Sequence, residues 1–412
     1  MVKITTIWWW NGQSNLLDWF FNELDNKIEI SSIVSMSDDW RTTWRLMRSF
    51  EDELWIHLPP PGDLRRCLFS LSDSEYRDYF SLIFEYTFLN EESIKEFTIK
   101  DLFKQVNKEL LFFGIWWELK EELVKFIDYC KWNLYENINE KCKNILKFKL
   151  PLNCSLKWHK FWNILMASLY YNFDKEEVNS EWRDLQLGGY DKMIKFMHNL
   201  LEVKWNIIPV TTKRAYIKAI LWNWEVIKNQ DRISNVADYN SWIADLELNE
   251  CSLGAKHNKQ VHDAIINSDF IIIWPWDLFT SLISNFIIGW VKESIINSKA
   301  KVIYIWNSTN KWWETTWLTQ LDFINKIERF LGKRIDYFVL NNKKLELTKE
   351  QEQEFKNDIS VKWWDYLFLA KWEKEDLIRR KIKVIERDLL WKKSFYKHSK
   401  KKIINVLKEI IL

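Results

Sequence analysis

The chain has 412 residues, with 60 Lys+Arg against 58 Asp+Glu and 47% apolar residues. That composition excludes a disordered chain, a disulfide scaffold, a collagen-like repeat and a nucleic-acid binder driven by bulk charge. Its 28 tryptophans and 8 glycines invert ordinary usage, in which glycine stands near ~7%; the length suits one large or two moderate domains with ample core.

Met1-Val2-Lys3-Ile4 runs straight into a strand-like stretch rather than a signal region, and no apolar run reaches the ~18 residues of a membrane span. Five scattered cysteines (Cys67, Cys130, Cys142, Cys154, Cys251) form no C-x-x-C pair, which argues against a disulfide framework and a zinc site. The expectation is a cytoplasmic protein with no membrane and no nucleic-acid partner.

In chain order, Ile4–Ile7 reads as a first strand, Leu16–Leu24 as a helix and Ile28–Met36 as a second strand ending at Asp38-Asp39. Between about Asn90 and Pro151 the apolar spacing is helical: Leu119, Leu123, Ile127 and Cys130 line one face. The expected organisation is therefore an α/β domain over 1–89 and 152–412 with a helical insertion at 90–151. Ile207–Val210 is a further strand, and from Ala219 to Leu248 the spacing shortens toward two, as in a small antiparallel excursion. Phe270–Ile273, Val302–Ile305, Ile335–Leu340 and Ile382–Ile385 complete the strands, each apolar on both faces and separated by helical patterns. Such runs belong to a mostly parallel sheet covered by helices on both sides, a Rossmann-like, doubly wound α/β fold. The basic tail after Lys392 reads as a solvated face of an amphipathic helix.

Tryptophan favours cores and half-buried faces, yet here it stands where chains turn: Trp8-Trp9-Trp10-Asn11-Gly12, Trp222-Asn223-Trp224, Trp274-Pro275-Trp276-Asp277, Trp306-Asn307 and Trp312-Trp313-Glu314. These are places that want φ > 0 or a close backbone approach, which glycine supplies cheaply. Most of these residues therefore read as UGA codons decoded as glycine in the source and as tryptophan under the standard code. Trp116, Trp117 and Trp182, in helical contexts, read as true tryptophans. The competing reading is a Trp-rich protein that uses indoles for stacking.

Six segments carry candidate chemistry. Trp8, Trp9, Trp10, Asn11 and Gly12, read with glycines, make a loop whose amides and following helix start would face an anion, against a plain tight turn. Asp38 and Asp39 close the second strand, where ligands of open α/β sheets sit; they can hold Mg²⁺ while Arg41 and Arg45 pair with phosphate oxygens, or they can cap a helix. Asp63, in Pro59-Pro60-Pro61-Gly62-Asp63, caps a helix on local grounds alone. His159 and Asn163 share a helix start. The segments after two later strands carry Pro275, Asp277, Thr280 and Ser281, and then Asn307, Glu314 and Thr315, the hydroxyls and amides of a phosphate or sugar pocket or of ordinary loops.

With tryptophan read as glycine, the order becomes Gly-Gly-Gly-x-Gly, Asp-Asp-Gly…Gly-Arg, Pro-Pro-Gly-Asp, Gly-His-x-x-Gly-Asn, Gly-Pro-Gly-x-Leu-x-Thr-Ser and Gly-Glu-Thr-x-Gly-x-Thr. This resembles the gluconeogenesis-factor and 2-phospho-L-lactate-transferase family across the chain except for 90–151. Ile385–Leu390 followed by Lys397-His398-Ser399 resembles the gluconeogenesis-factor branch. Against the family pattern, Arg41 stands for a glycine, Asn11 and Lys160 for hydroxyl residues, Asp277 for a serine and Thr316 for an acid; Asp277 adds negative charge beside the expected phosphate site.

The resemblance implies a regulator that binds a nucleotide or nucleotide-sugar, a UDP-sugar by preference, and influences carbon metabolism, cell wall and cell shape without a settled reaction. The other branch implies a transferase moving a phospholactyl group from a guanosine diphosphate donor to a deazaflavin alcohol, with Asp38 or Asp39 on Mg²⁺. A dehydrogenase lacks the G-x-G-x-x-G spacing, so neither NAD nor flavin is expected as cofactor. A homo-oligomer remains open.

Overall fold

The apolar run that opens the chain forms β1 (Val2–Trp8), which pairs in parallel with β2 (Ile28–Val34) on one side and with β9 (Phe270–Ile273) on the other in a computed structural model. That structure describes residues 1–8, 27–36, 41–54, 58, 62–74, 84–88, 96–98, 147–149, 157–167, 169–170, 189–213, 215–233, 241–252, 257–275, 277–311, 314–343, 348–350, 367–391 and 397–412, with single positions 17, 20, 24, 77 and 353. Seven strands make one parallel sheet in the order β12-β11-β10-β9-β1-β2-β5. Its other members are β5 (Asn206–Pro209), β10 (Lys301–Ile305), β11 (Tyr337–Asn341) and β12 (Lys383–Arg387). Counted in order of appearance within the sheet, this is the 3-2-1-4-5-6 winding of dinucleotide folds with one strand added, so the order reverses between β1 and β9.

The chain divides into two compact units, Met1–Ser37 with Trp205–Leu412, and Asp38–Lys204. The first holds the seven-stranded sheet and an antiparallel sheet of β6 (Ile217–Leu221), β7 (Val226–Lys228) and β8 (Ile243–Leu248), the expected excursion. The second holds α1 (Arg41–Leu54), α2 (Gly62–Ser70), α3 (Gly189–Leu200), helical residues 161–167 and the antiparallel pair β3 (Glu96–Thr98) and β4 (Lys147–Lys149). Both expected boundaries, 89 and 152, lie inside this second unit. Apart from β3 and β4, the segment 90–151 lies outside the described residues, as do the stripe from Leu119 to Cys130 and the tryptophans 116, 117 and 182.

Helices of the first unit show why the sequence folds as it does. The helix Gln320–Leu331 starts at Thr319, whose hydroxyl accepts from Asp322 N–H while the Asp322 carboxylate accepts from Thr319 N–H. It buries Leu321, Phe323, Ile324, Ile327 and Leu331, each contributing roughly 1.5–3 kcal/mol. It ends at Gly332, φ +67°, where a Cβ would stand 2.7 Å from Ile296 Cδ1 and from Lys292 Cε. The tail helix Lys400–Ile411 buries Ile403, Ile404, Leu407 and Ile411 and turns its lysines outward, Lys402 pairing with Asp388, as the amphipathic pattern implies.

Seven described non-glycine residues hold a positive φ, and four of them are tryptophans: Trp158 (69°), Trp224 (68°), Trp290 (76°) and Trp317 (70°). Each of the four is solvent-exposed. Trp224 is the third residue of the three-residue loop 222–224 between β6 and β7, closed by Leu221 N–H to Glu225 O at 2.9 Å. The left-handed residue of such a loop forms a G1 bulge and is ordinarily glycine. Trp162 and Trp306, in contrast, are fully buried, Trp162 against the rings of Phe69 and Phe84.

Candidate functional site

In the first unit, the chain leaves β9 through Trp274 and Pro275 and coils at once into a π-helical turn, Leu278–Ile283, whose six residues are all buried. Such turns are rare and frequent at functional sites. The first backbone N–H groups of a helical turn lack internal partners; here a carboxylate satisfies two of them. Glu314 Oε1 accepts from Phe279 N–H at 2.7 Å and Thr280 N–H at 2.9 Å, and the Thr280 hydroxyl lies 3.3 Å from both carboxylate oxygens. Glu314 is brought there by the loop after β10, so the carboxyl ends of β9 and β10 are tied through one buried anion.

Lys311 neutralises that anion. Its Nζ stands 3.0 Å from Glu314 Oε2 and donates to Asp277 Oδ2. Burial acts to lower the Lys311 pKa, but the two carboxylates outweigh it and hold the group above its ordinary value. Burial pushes Asp277 up to about 6, with the Glu314 charge adding to the rise and Lys311 opposing it. The negative charge that Asp277 brings to this position thus shares with Glu314 a single cation, Lys311. Asp277 Oδ1 has no hydrogen-bond partner among the described residues.

Three further buried atoms on this segment lack a partner among the described residues: Ser281 Oγ, Ser284 Oγ and Asn285 Oδ1. Leaving such groups unpaired costs about 1–3 kcal/mol each. At the end of β10, Asn307 Oδ1 accepts from Tyr304 O–H at 2.7 Å and Asn307 O accepts from Gln320 Nε2 at 2.8 Å. Thr315 Oγ1 accepts from Lys311 N–H at 2.8 Å, which fixes the loop. His398 sits beside Trp274 and Trp306, with ring centroids 6.0 and 5.4 Å away. Its Nε2 is 3.0 Å from Trp306 O; since a carbonyl only accepts, Nε2 carries the proton and Nδ1 is left as an acceptor. Burial lowers the His398 pKa to about 4 against the raising effect of that bond, so the ring is neutral near pH 7.

The second unit carries a separate set. His159, 3% exposed, has its pKa lowered to about 4 by burial and then by the charge of Arg45. His159 Nδ1 and Asn163 Oδ1 are buried without a partner among the described residues, one helical turn apart. Arg45 is exposed and makes no ion pair among the described residues. Lys160, next to His159, pairs with Glu85, which also takes Arg65 at 2.8 Å.

Of the expected site residues, Trp9, Trp10, Asn11, Gly12, Asp38 and Asp39 lie outside the described residues. Trp8 ends β1, Arg41 opens α1 and Asp63 lies in α2. The structure brings Pro275, Asp277, Thr280, Ser281, Asn307, Glu314 and Thr315 to the ends of two neighbouring strands, and His159, Asn163 and Arg45 together elsewhere. Within the first group, Glu314 accepts from the Phe279 and Thr280 N–H groups and pairs with Lys311. Sequence reasoning passed over Lys311 as a site residue; its i,i+3 spacing to Glu314 was the available sign. It also left His398 outside the site, since 92 residues separate it from Trp306. Among the described residues, no group of three or more His, Cys, Asp or Glu is placed to hold a metal, and no helix is long and apolar enough to cross a membrane.

Comparison with known proteins agrees with this architecture. The chain is 23% identical over 360 residues to a protein of Aquifex aeolicus named as a gluconeogenesis factor, covering 86% of this chain and 83% of that one. It is 28% identical over 190 residues to one of Thermotoga maritima, covering 46% of this chain and 54% of that protein. The match thus spans about half the length of the Thermotoga relative and 65% of one from Thermoanaerobacterium thermosulfurigenes. A crystal structure of a Bacillus halodurans member of the upf0052 family shares the fold, with TM-score 0.67 at 17% identity over 99% of both chains. The family profile of 2-phospho-L-lactate transferase CofD matches residues 11–390, most of the chain, and the chain belongs to that family.

Proposed function

We propose that this chain is a cytoplasmic nucleotide-sugar-binding regulator of the gluconeogenesis-factor type, acting on carbon metabolism, cell wall and cell shape, and that its ligand is a UDP-sugar held at the carboxyl edge of the sheet. The observation that carries the reading is the strand reversal between β1 and β9, the crevice where open α/β sheets bind nucleotides, with the candidate residues of the β9 and β10 ends beside it. The seating of His398 on Trp274 and Trp306 supports the regulator branch, because it gives the C-terminal segment a place at this edge. Relatives named gluconeogenesis factors point the same way.

The test is calorimetric titration of the full chain, in glycine-decoded form, with UDP-glucose, GDP and UDP, with and without Mg²⁺. Preference for UDP-glucose supports the regulator. Preference for GDP with a Mg²⁺ requirement that Asp39→Ala abolishes would favour the transferase reading that the family's name suggests.

A further inference from the structure

We infer that Asp277 is the residue that receives the sugar: its open carboxylate oxygen accepts hydrogen bonds from hydroxyls of the glycosyl group, while Lys311 holds the other oxygen in place. The inference rests on the nucleotide-sugar reading above and says which part of the ligand meets which residue.

Four observations carry it. Asp277 leads the π-helical turn directly after β9, caps no backbone N–H with its side chain, and remains 22% exposed at the side chain. Its Oδ2 is fixed by Lys311, and Oδ1 has no partner among the described residues. The cation at this cluster is fully engaged by Asp277 and Glu314, and the helical N–H groups that would cradle an anion are taken by Glu314. His398 Nδ1, at the ends of the same strands, is an acceptor as well.

The cluster therefore offers acceptors and withholds cations and amide donors. A phosphate brought to Asp277 would meet like charge. A ligand group rich in O–H donors and without charge satisfies Asp277 Oδ1. The Asp–Lys pairing also explains how the chain tolerates a carboxylate where the family resemblance places serine: the added carboxylate shares the Lys311 cation with Glu314, and what is gained is a stronger acceptor.

The test compares UDP-glucose, UDP and GDP on the glycine-decoded full chain and on its Asp277→Ala and Asp277→Asn variants, with urea midpoints confirming that each variant folds. UDP-glucose should bind the decoded chain with Asp277 intact about tenfold more tightly than UDP, as one hydrogen bond to a charged group allows. In Asp277→Ala the two affinities should converge with UDP unchanged, and Asp277→Asn should keep part of the difference. Equal weakening of both ligands, or a difference that survives in Asp277→Ala, would overturn the assignment. GDP binding that alone weakens in Asp277→Ala would give Asp277 a guanine N–H instead of a hydroxyl, and would overturn it too. Failure of all three ligands to bind the decoded chain with Asp277 intact would bring down the nucleotide-sugar reading and this inference with it; that result is read without either Asp277 variant, so the two failures are distinguishable.

Discussion

Trp224→Gly should stabilise the protein. The residue holds φ 68° at the end of the loop between β6 and β7, and its side chain is 85% exposed. Left-handed backbone costs an L-residue with a Cβ about 1–2 kcal/mol, whereas glycine adopts it freely and loses about 0.5–1 kcal/mol more chain entropy on folding. Little burial is lost, because most of the indole already faces water. The net gain is about 0.5–1 kcal/mol, read as a rise in the urea midpoint at constant slope. Trp224→Ala is the decisive control: it removes the same indole but keeps the Cβ, so it should gain nothing. At Gly332 the reverse change, Gly332→Ala, should cost about 1–2 kcal/mol, since the left-handed strain arrives together with contacts at 2.7 Å to Ile296 and Lys292. Stabilisation by Trp224→Ala equal to that by Trp224→Gly, or destabilisation by glycine, would refute the reasoning. The same position tests the decoding directly. Trypsin releases Ala219–Lys228, which carries both Trp222 and Trp224; mass spectrometry of the protein from its source should find glycine at both, and tryptophan there would end the argument.

Glu314→Ala should cost about 2–6 kcal/mol, since it leaves two amides of the π-helical turn unpaired at about 1–3 kcal/mol each while Lys311 keeps Asp277; Glu314→Gln should cost less, and chemical denaturation compares them. His159 is neutral when folded, its pKa lowered from 6.5 to about 4, so the stability it contributes is present above pH 6.5 and is lost as pH falls toward 4. The loss is about 3 kcal/mol at ~1.4 per unit, and His159→Gln should flatten that window in pH-dependent melts. Replacing Trp8, Trp9 and Trp10 by glycine, with the other loop tryptophans also decoded, should create nucleotide binding that the literal chain lacks, because indoles occupy the space where amides would meet phosphate; equal calorimetric binding by both forms would sink this.

Much of the fold was legible because its parallel strands are apolar on both faces. Phe270-Ile271-Ile272-Ile273 and Val302-Ile303-Tyr304-Ile305 announce buried strands without help from their neighbours, and both lie in the sheet. The antiparallel excursion was legible for a different reason: alternation in Ile217–Leu221, with every second residue buried, is the pattern of a sheet covered on one face. Boundaries between compact units were not legible. The break falls at Ser37/Asp38 and Lys204/Trp205, next to strands β2 and β5, where no glycine, proline or charge run marks a linker. The apolar spacing turns helical over 90–151, and it was that break in the strand–helix alternation that set the expected boundaries.

The site was legible as a set of segments and illegible as a set of roles. Strand ends in an open α/β sheet nominate Asp277, Thr280, Ser281, Asn307, Glu314 and Thr315 by position alone. What each does depends on pairings across 34 or 35 residues of sequence, such as Glu314 with Thr280 and Phe279, and Lys311 with Asp277. Read alone, Asp277 looks like a charge that repels phosphate, and Lys311 like a loop lysine. Placed together with Glu314 they form a buried arrangement in which one lysine serves two carboxylates, and the surplus hydrogen-bonding capacity of the group lies on a single oxygen of Asp277. That redistribution turns an apparent obstacle to phosphate binding into an acceptor for the uncharged part of a ligand, and only the fold could assign it.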